Sequence, residues 1–129
     1  MELNEIVINV RQKYADAKLL KENGRYANSI YLSGYCVELS LKYAIANHMN
    51  WTKFYTEQKF KFLKVHDLEF LVSLTGKETE IKQMPEWQIV KRWDEQKRYS
   101  DPTQSTEKDA NTMLIAVKTL VEMLCTNLS

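Results

Sequence analysis

At 129 residues, with 44% hydrophobic and 27% charged side chains, the chain has the size and balance of one globular domain able to bury a core without staples. A net charge of +1 neither requires nor excludes a polyanionic partner, because a local patch acts where the sum does not. No apolar run approaches about 18 residues, so no membrane partner is expected, and the acidic start Met1-Glu2-Leu3-Asn4-Glu5 lacks the basic region of a secretion signal, so a cytoplasmic location is expected.

Only 3 glycines and 2 prolines occur, few for a chain of many turns. The first predicted helix runs from about Leu3 to Asn23, with Leu3, Ile6, Val7, Val10, Tyr14 and Ala17 on one stripe. Asn23-Gly24 is a natural stop, because glycine accepts the left-handed conformation that ends a helix. The second runs from about Arg25 to Met49 and is apolar on two faces. Ile30, Gly34, Val37, Leu41 and Ile45 make one stripe, and Leu32, Cys36, Leu39 and Tyr43 another, which implies a central helix contacted from two sides. Its small residues Ser33, Gly34, Cys36 and Ser40 leave room for a close neighbour, an offset to the roughly 1 kcal/mol a helical glycine costs relative to alanine.

Asn50 to Val65 is less regular, rich in lysine and aromatics, and reads as a connection with some helical content. A short helix follows from His66 to Thr75, with Asp67 at its positive end and Gly76 as terminator. Pro85 opens the next helix, "PEWQIVKRWDEQKRY", as proline prefers a first turn. "SDPTQSTEKD" is a polar loop whose Ser105 or Thr106 can cap the last helix, with Asp109 in the first turn. That helix, about Thr106 to Asn127, puts Ala110, Met113, Leu114, Val117, Leu120, Val121 and Leu124 on one face. The expected fold is all-α, an up-and-down bundle of four main helices plus a short fifth in one domain spanning residues 1–129.

The stretch "YANSIYLSGYCVELSLKYAI", the "HDL" at His66-Asp67-Leu68, and Trp93 followed by Arg98-Tyr99 in "WDEQKRY" occur in an order and spacing that resembles the HEPN family (higher eukaryotes and prokaryotes nucleotide-binding). The resemblance covers about Leu3 to Leu124. It implies a helical bundle that pairs as a homodimer. Many HEPN members are ribonucleases of toxin–antitoxin or defence systems. They carry an arginine and, four to six residues on, a histidine in the dimer cleft, and they cut RNA without metal. Others lack that signature and bind RNA or nucleotides, and some partner a small nucleotidyltransferase.

This sequence departs from the nuclease pattern. The positions where a histidine should follow Arg98 hold Thr103, Gln104 and Ser105, and none follows Arg92 either; His48 and His66, both earlier, are the only histidines. Cleavage through the 2′-hydroxyl needs a group that moves a proton near neutral pH, which Thr, Gln and Ser do not do. No catalytic residue is therefore assigned, and no cofactor or metal is expected: there is no glycine-rich phosphate loop, metal-ligand spacing or nucleophile motif, and Cys36 and Cys125 read as buried small hydrophobes.

The ligand-binding candidates are Arg98, Tyr99, Glu38, Lys42 and His66. Arg98 can hold a phosphate and Tyr99 can stack on a base, or they bridge Glu38 and pack on Trp93. Glu38 and Lys42 stand one turn apart in the favourable order, as a plain intrahelical pair bonded also to Arg98 or His66, or as part of a polar cleft. His66 reads as a structural group on a backbone or carboxylate partner, or as a replacement for the missing late histidine. Trp51, Trp87 and Trp93 read as core or interface anchors. Lys53, Lys59, Lys61 and Lys64 form one basic group, interleaved with aromatics, and Lys91, Arg92, Lys97 and Arg98 a second. Each is a solvated face or an RNA-binding surface. The expectation is an RNA- or nucleotide-binding or nucleotidyltransferase-partner module. The alternatives are a divergent metal-independent ribonuclease using Arg98 and His66, and a purely structural module.

Overall fold

A computed structural model describes residues 1–96 and 102–128. Its helices are α1 (Leu3–Glu22), α2 (Tyr26–His48), α3 (Leu68–Ser73), α4 (Glu78–Lys82), α5 (Pro85–Gln96) and α6 (Glu107–Leu124), with short 3₁₀ turns at Gln58–Leu63 and Pro102–Gln104. Among the described residues no β-strand forms, only an isolated bridge between Glu2 and Lys53. The all-α bundle and its four long helices are as expected. The 3₁₀ turn at Gln58–Leu63 falls in the connection expected to hold some helical content, while α4 and the turn at Pro102–Gln104 are additions, too brief to leave a periodic signature.

The core follows the apolar stripes. Ile6, Val10, Tyr14 and Ala17 of α1 are buried, as are all seven residues expected on the inner face of α6. α2 lies against both α1 and α6, and α5 packs on α6, so α2 is buried over half its length. Its buried serines cause no orphaned hydroxyl: Ser29 donates to the Ala17 carbonyl (2.7 Å), Ser33 to Ile30 (2.9 Å) and Ser40 to Cys36 (2.8 Å). These back-bonds satisfy the hydroxyls while keeping the side chains small at the helix contact. Tyr14 reaches across to the Leu114 carbonyl at 3.1 Å, tying α1 to α6.

Helix ends sit where turn chemistry places them. Gly24 (φ +75°) and Gly76 (φ +76°) take the left-handed conformation after α1 and after α3. Asp67 accepts from the Phe70 N–H at 3.1 Å and caps α3. At α6, Thr106 accepts from the Asp109 N–H (3.2 Å) while Asp109 accepts from the Thr106 N–H (3.0 Å), a reciprocal capping box. Gly34 is the exception to the close-approach reading: among the described residues a Cβ there would meet only Met113 Cε, at an ordinary 3.5 Å. It borders an opening in the bundle instead.

A candidate nucleotide-binding cleft

The opening is a cavity of about 490 Å³ between α2, the start of α3, α5 and α6. One side of α2 supplies Tyr31, Gly34, Tyr35 and Glu38, which the helical repeat aligns. Trp93 and Asp94 of α5 face them, and His66 and Ser105 sit at the edges. A second cavity, about 380 Å³, lies beyond Leu68 and Asp94 and is bordered by Glu69 and Lys91.

The polar centre of the cleft is Glu38, only 6% exposed. Its Oε2 accepts from Lys42 Nζ at 3.2 Å and lies 2.9 Å from His66 Nδ1. An ionised carboxylate only accepts, so Nδ1 donates and Nε2 is left facing outward. The His66 side chain is 75% exposed, against 8% for the Glu38 side chain. Glu38 thus holds a surface imidazole by one nitrogen. Lys42 Nζ lies in addition 5.7 Å above the Phe54 ring, a cation–π contact that helps place the ammonium beside Glu38. Burial, then the negative charge of Glu38 and the neighbouring Tyr31, push the Tyr35 phenol above its ordinary value, so its hydroxyl stays a donor.

The described lining is aromatic and carries carboxylates rather than cations: Tyr31, Tyr35 and Trp93 supply ring surface, and Glu38 and Asp94 the formal charge. Such a surface suits a flat ring bearing amino or hydroxyl donors, with any phosphate directed outward. Among the described residues no group of three or more histidine, cysteine or carboxylate side chains could hold a metal ion.

Of the five expected ligand-binding residues, the fold brings Glu38, Lys42 and His66 together. Glu38 and Lys42 form the intrahelical pair, and of the two Glu38 lines the cleft. His66 takes a carboxylate partner as expected of a structural histidine, yet it is exposed. Arg98 and Tyr99 lie outside the described residues, as does Lys97. The tryptophans divide: Trp87 is a core anchor at 1% exposure, Trp93 lines the cleft, and Trp51 joins Tyr55 and Phe60 in an aromatic trio. Sequence reasoning does not reach Tyr31 and Tyr35. Their signal is faint: with Gly34 and Glu38 they form a polar-aromatic edge beside the buried stripes of α2.

The family model for the HEPN domain matches residues 10–128. The chain belongs to the HEPN domain family. No curated protein and no solved structure matches it. Membership supports a nucleotide- or RNA-related module at the level of the family. In this HEPN domain the resemblance carried by "SGYCVELSLKYAI", "HDL" and Trp93 maps onto α2, the cap of α3 and α5, which with α6 border the cleft. No described helix is long and apolar enough to cross a membrane.

Proposed function

We propose that this HEPN domain is a binding module for RNA or a nucleotide, lacking the family's arginine–histidine nuclease pair, and that it works as a homodimer or beside a nucleotidyltransferase in a prokaryotic toxin–antitoxin or defence setting. The observation that carries the reading is the cleft of about 490 Å³ in which Tyr31, Tyr35 and Trp93 surround Glu38. Aromatic rings take a base by stacking, and a carboxylate accepts from base amino groups or ribose hydroxyls. The residues at 103–105, where a nuclease histidine would stand, are Thr, Gln and Ser.

A second reading rests on His66. Its Nδ1 is held by Glu38, so Nε2 can take a proton from a 2′-hydroxyl as that oxygen attacks the adjacent phosphorus and the 5′-oxygen leaves with a proton taken from water. Arg98 would then steady the phosphate. One experiment separates the two. Fluorescence anisotropy with labelled short RNA, and gel analysis of the same RNA without added metal, are run on the wild type, Tyr31→Ala, His66→Ala and Arg98→Ala. The binding reading expects uncut RNA and weaker binding in Tyr31→Ala, by about 1–3 kcal/mol if one base stacks there. Cleavage abolished in both His66→Ala and Arg98→Ala would replace it with the enzyme reading.

A further inference from the structure

The connection between α2 and α3 carries a surface that the cleft does not use. Its 3₁₀ turn, Gln58–Leu63, repeats every three residues, so residues three apart share a face. Leu63 is buried and Phe60 half-buried, one pair turned inward, while Lys59 with Phe62, and Lys61 with Lys64, stand outward on neighbouring ridges. Phe62 is 56% exposed. Lys53, Lys59, Lys61 and Lys64 are all exposed, and none makes an ion pair with a described residue. Residues 51–65 hold these four lysines and one acid, Glu57, a net charge of +3; the whole chain is +1, so the remainder carries −2. The second basic group differs, because Lys91 is engaged by Glu69 at 3.6 Å.

The surface is also firm. Trp51 packs edge-on against Tyr55 (5.0 Å) and Phe60 (4.9 Å). Lys53 Nζ lies 5.4 Å over the Tyr55 ring and Lys59 Nζ 5.3 Å over the Phe60 ring, so cation–π contacts steady both ammonium heads on an exposed surface. The ridge adjoins the cleft along the chain: His66, which lines the cleft, lies two residues beyond Lys64, and Lys42 links Phe54 to Glu38.

We propose that the Lys53–Lys64 ridge is a track for the backbone of single-stranded RNA whose neighbouring base occupies the cleft, with Phe62 as an outer stacking platform. The inference rests on the RNA-binding reading of the cleft and narrows its ligand from nucleotide to strand. Lysines without an ion pair among the described residues can meet phosphates. An exposed ring among them adds a stacking face for an unpaired base, which duplex RNA does not offer.

The test measures anisotropy of a labelled single-stranded uridine oligomer, a duplex of the same length and labelled uridine monophosphate, across a range of potassium chloride. The full chain is compared with the variants K59Q/K61Q/K64Q and Phe62→Ala, with Tyr31→Ala for the cleft; the ridge positions are exposed, and circular dichroism checks the fold. Three neutralised phosphate contacts lower the slope of log affinity against log salt by about 2. Phe62→Ala weakens the oligomer roughly 5- to 100-fold. Neither change alters monophosphate binding. Oligomer binding that keeps its affinity and slope in the ridge variants but falls in Tyr31→Ala would overturn the track and leave the cleft reading standing. Duplex bound as tightly as single strand, with no effect of Phe62→Ala, would reduce the ridge to a nonspecific polyanion patch and overturn it. Absence of binding to every probe removes both the track and the cleft reading.

Discussion

Glu38 Oε2 lies 2.9 Å from His66 Nδ1, joining the buried middle of α2 to the residue just ahead of the α3 cap, 28 positions away. The same oxygen takes Lys42 Nζ at 3.2 Å. Substituting Glu38→Gln keeps the volume but removes the charge that both partners face, and Lys42, 14% exposed in its side chain, is left poorly solvated. The expected outcome is a loss of about 1–3 kcal/mol, read from urea denaturation midpoints. His66→Ala, at an exposed position, should cost much less. An equal loss in both would mean that the imidazole, rather than Lys42, is the partner that matters for stability.

Gly24 and Gly76 separate backbone strain from a side-chain clash. Both take positive φ, but a Cβ at Gly24 meets no described residue within 4 Å, whereas one at Gly76 would stand 2.5 Å from His48 Cε1. Gly24→Ala should therefore lose only the conformational part, about 1 kcal/mol. Gly76→Ala should lose more, and adding His48→Ala should recover the excess, because the ring is removed while the φ is not. Thermal or urea unfolding of the single and double variants gives the comparison. No recovery in the double variant would show that the ring simply swings away.

Gly34 sets stability against cleft volume. It is inside α2, where alanine is favoured by roughly 1 kcal/mol, and among the described residues a new Cβ would meet only Met113 Cε, at 3.5 Å. Gly34→Ala should stabilise the fold by up to about that amount, and Gly34→Leu should fill the cleft and weaken RNA binding while the helical circular dichroism signal stays. Full affinity in Gly34→Leu would place the ligand elsewhere.

Burial pushes the Cys36 thiol from 9.0 up to about 12, against a smaller lowering by Lys13. The folded state therefore keeps this proton through a range where the unfolded chain gives it up. Below pH 9 the thiol contributes no pH dependence; from there toward pH 12 stability falls as pH rises, by roughly 1 kcal/mol per pH unit from this group. Urea midpoints at pH 8.5 and 10.5 for the wild type and Cys36→Ala test it, the variant showing a shallower decline. Parallel declines would mean that the thiol titrates alike in both states.

The local features of this chain are written in local spacing. Apolar repeats define the four long helices, Thr106 with Asp109 and Asp67 mark two starts, Gly24 and Gly76 mark ends, and Glu38–Lys42 pair because residues four apart share a helix face. Each needs only one turn of backbone to come about. Tertiary packing decided the rest. It brought His66 to Glu38, closed Tyr31 and Tyr35 of α2 with Trp93 of α5 around a cavity, tied up Lys91 with Glu69, and left Lys53, Lys59, Lys61 and Lys64 without an ion pair among the described residues. None of these has a short-range cause: each depends on which faces α2, α3 and α5 turn to one another when their apolar stripes are buried, and composition alone cannot say which charges meet.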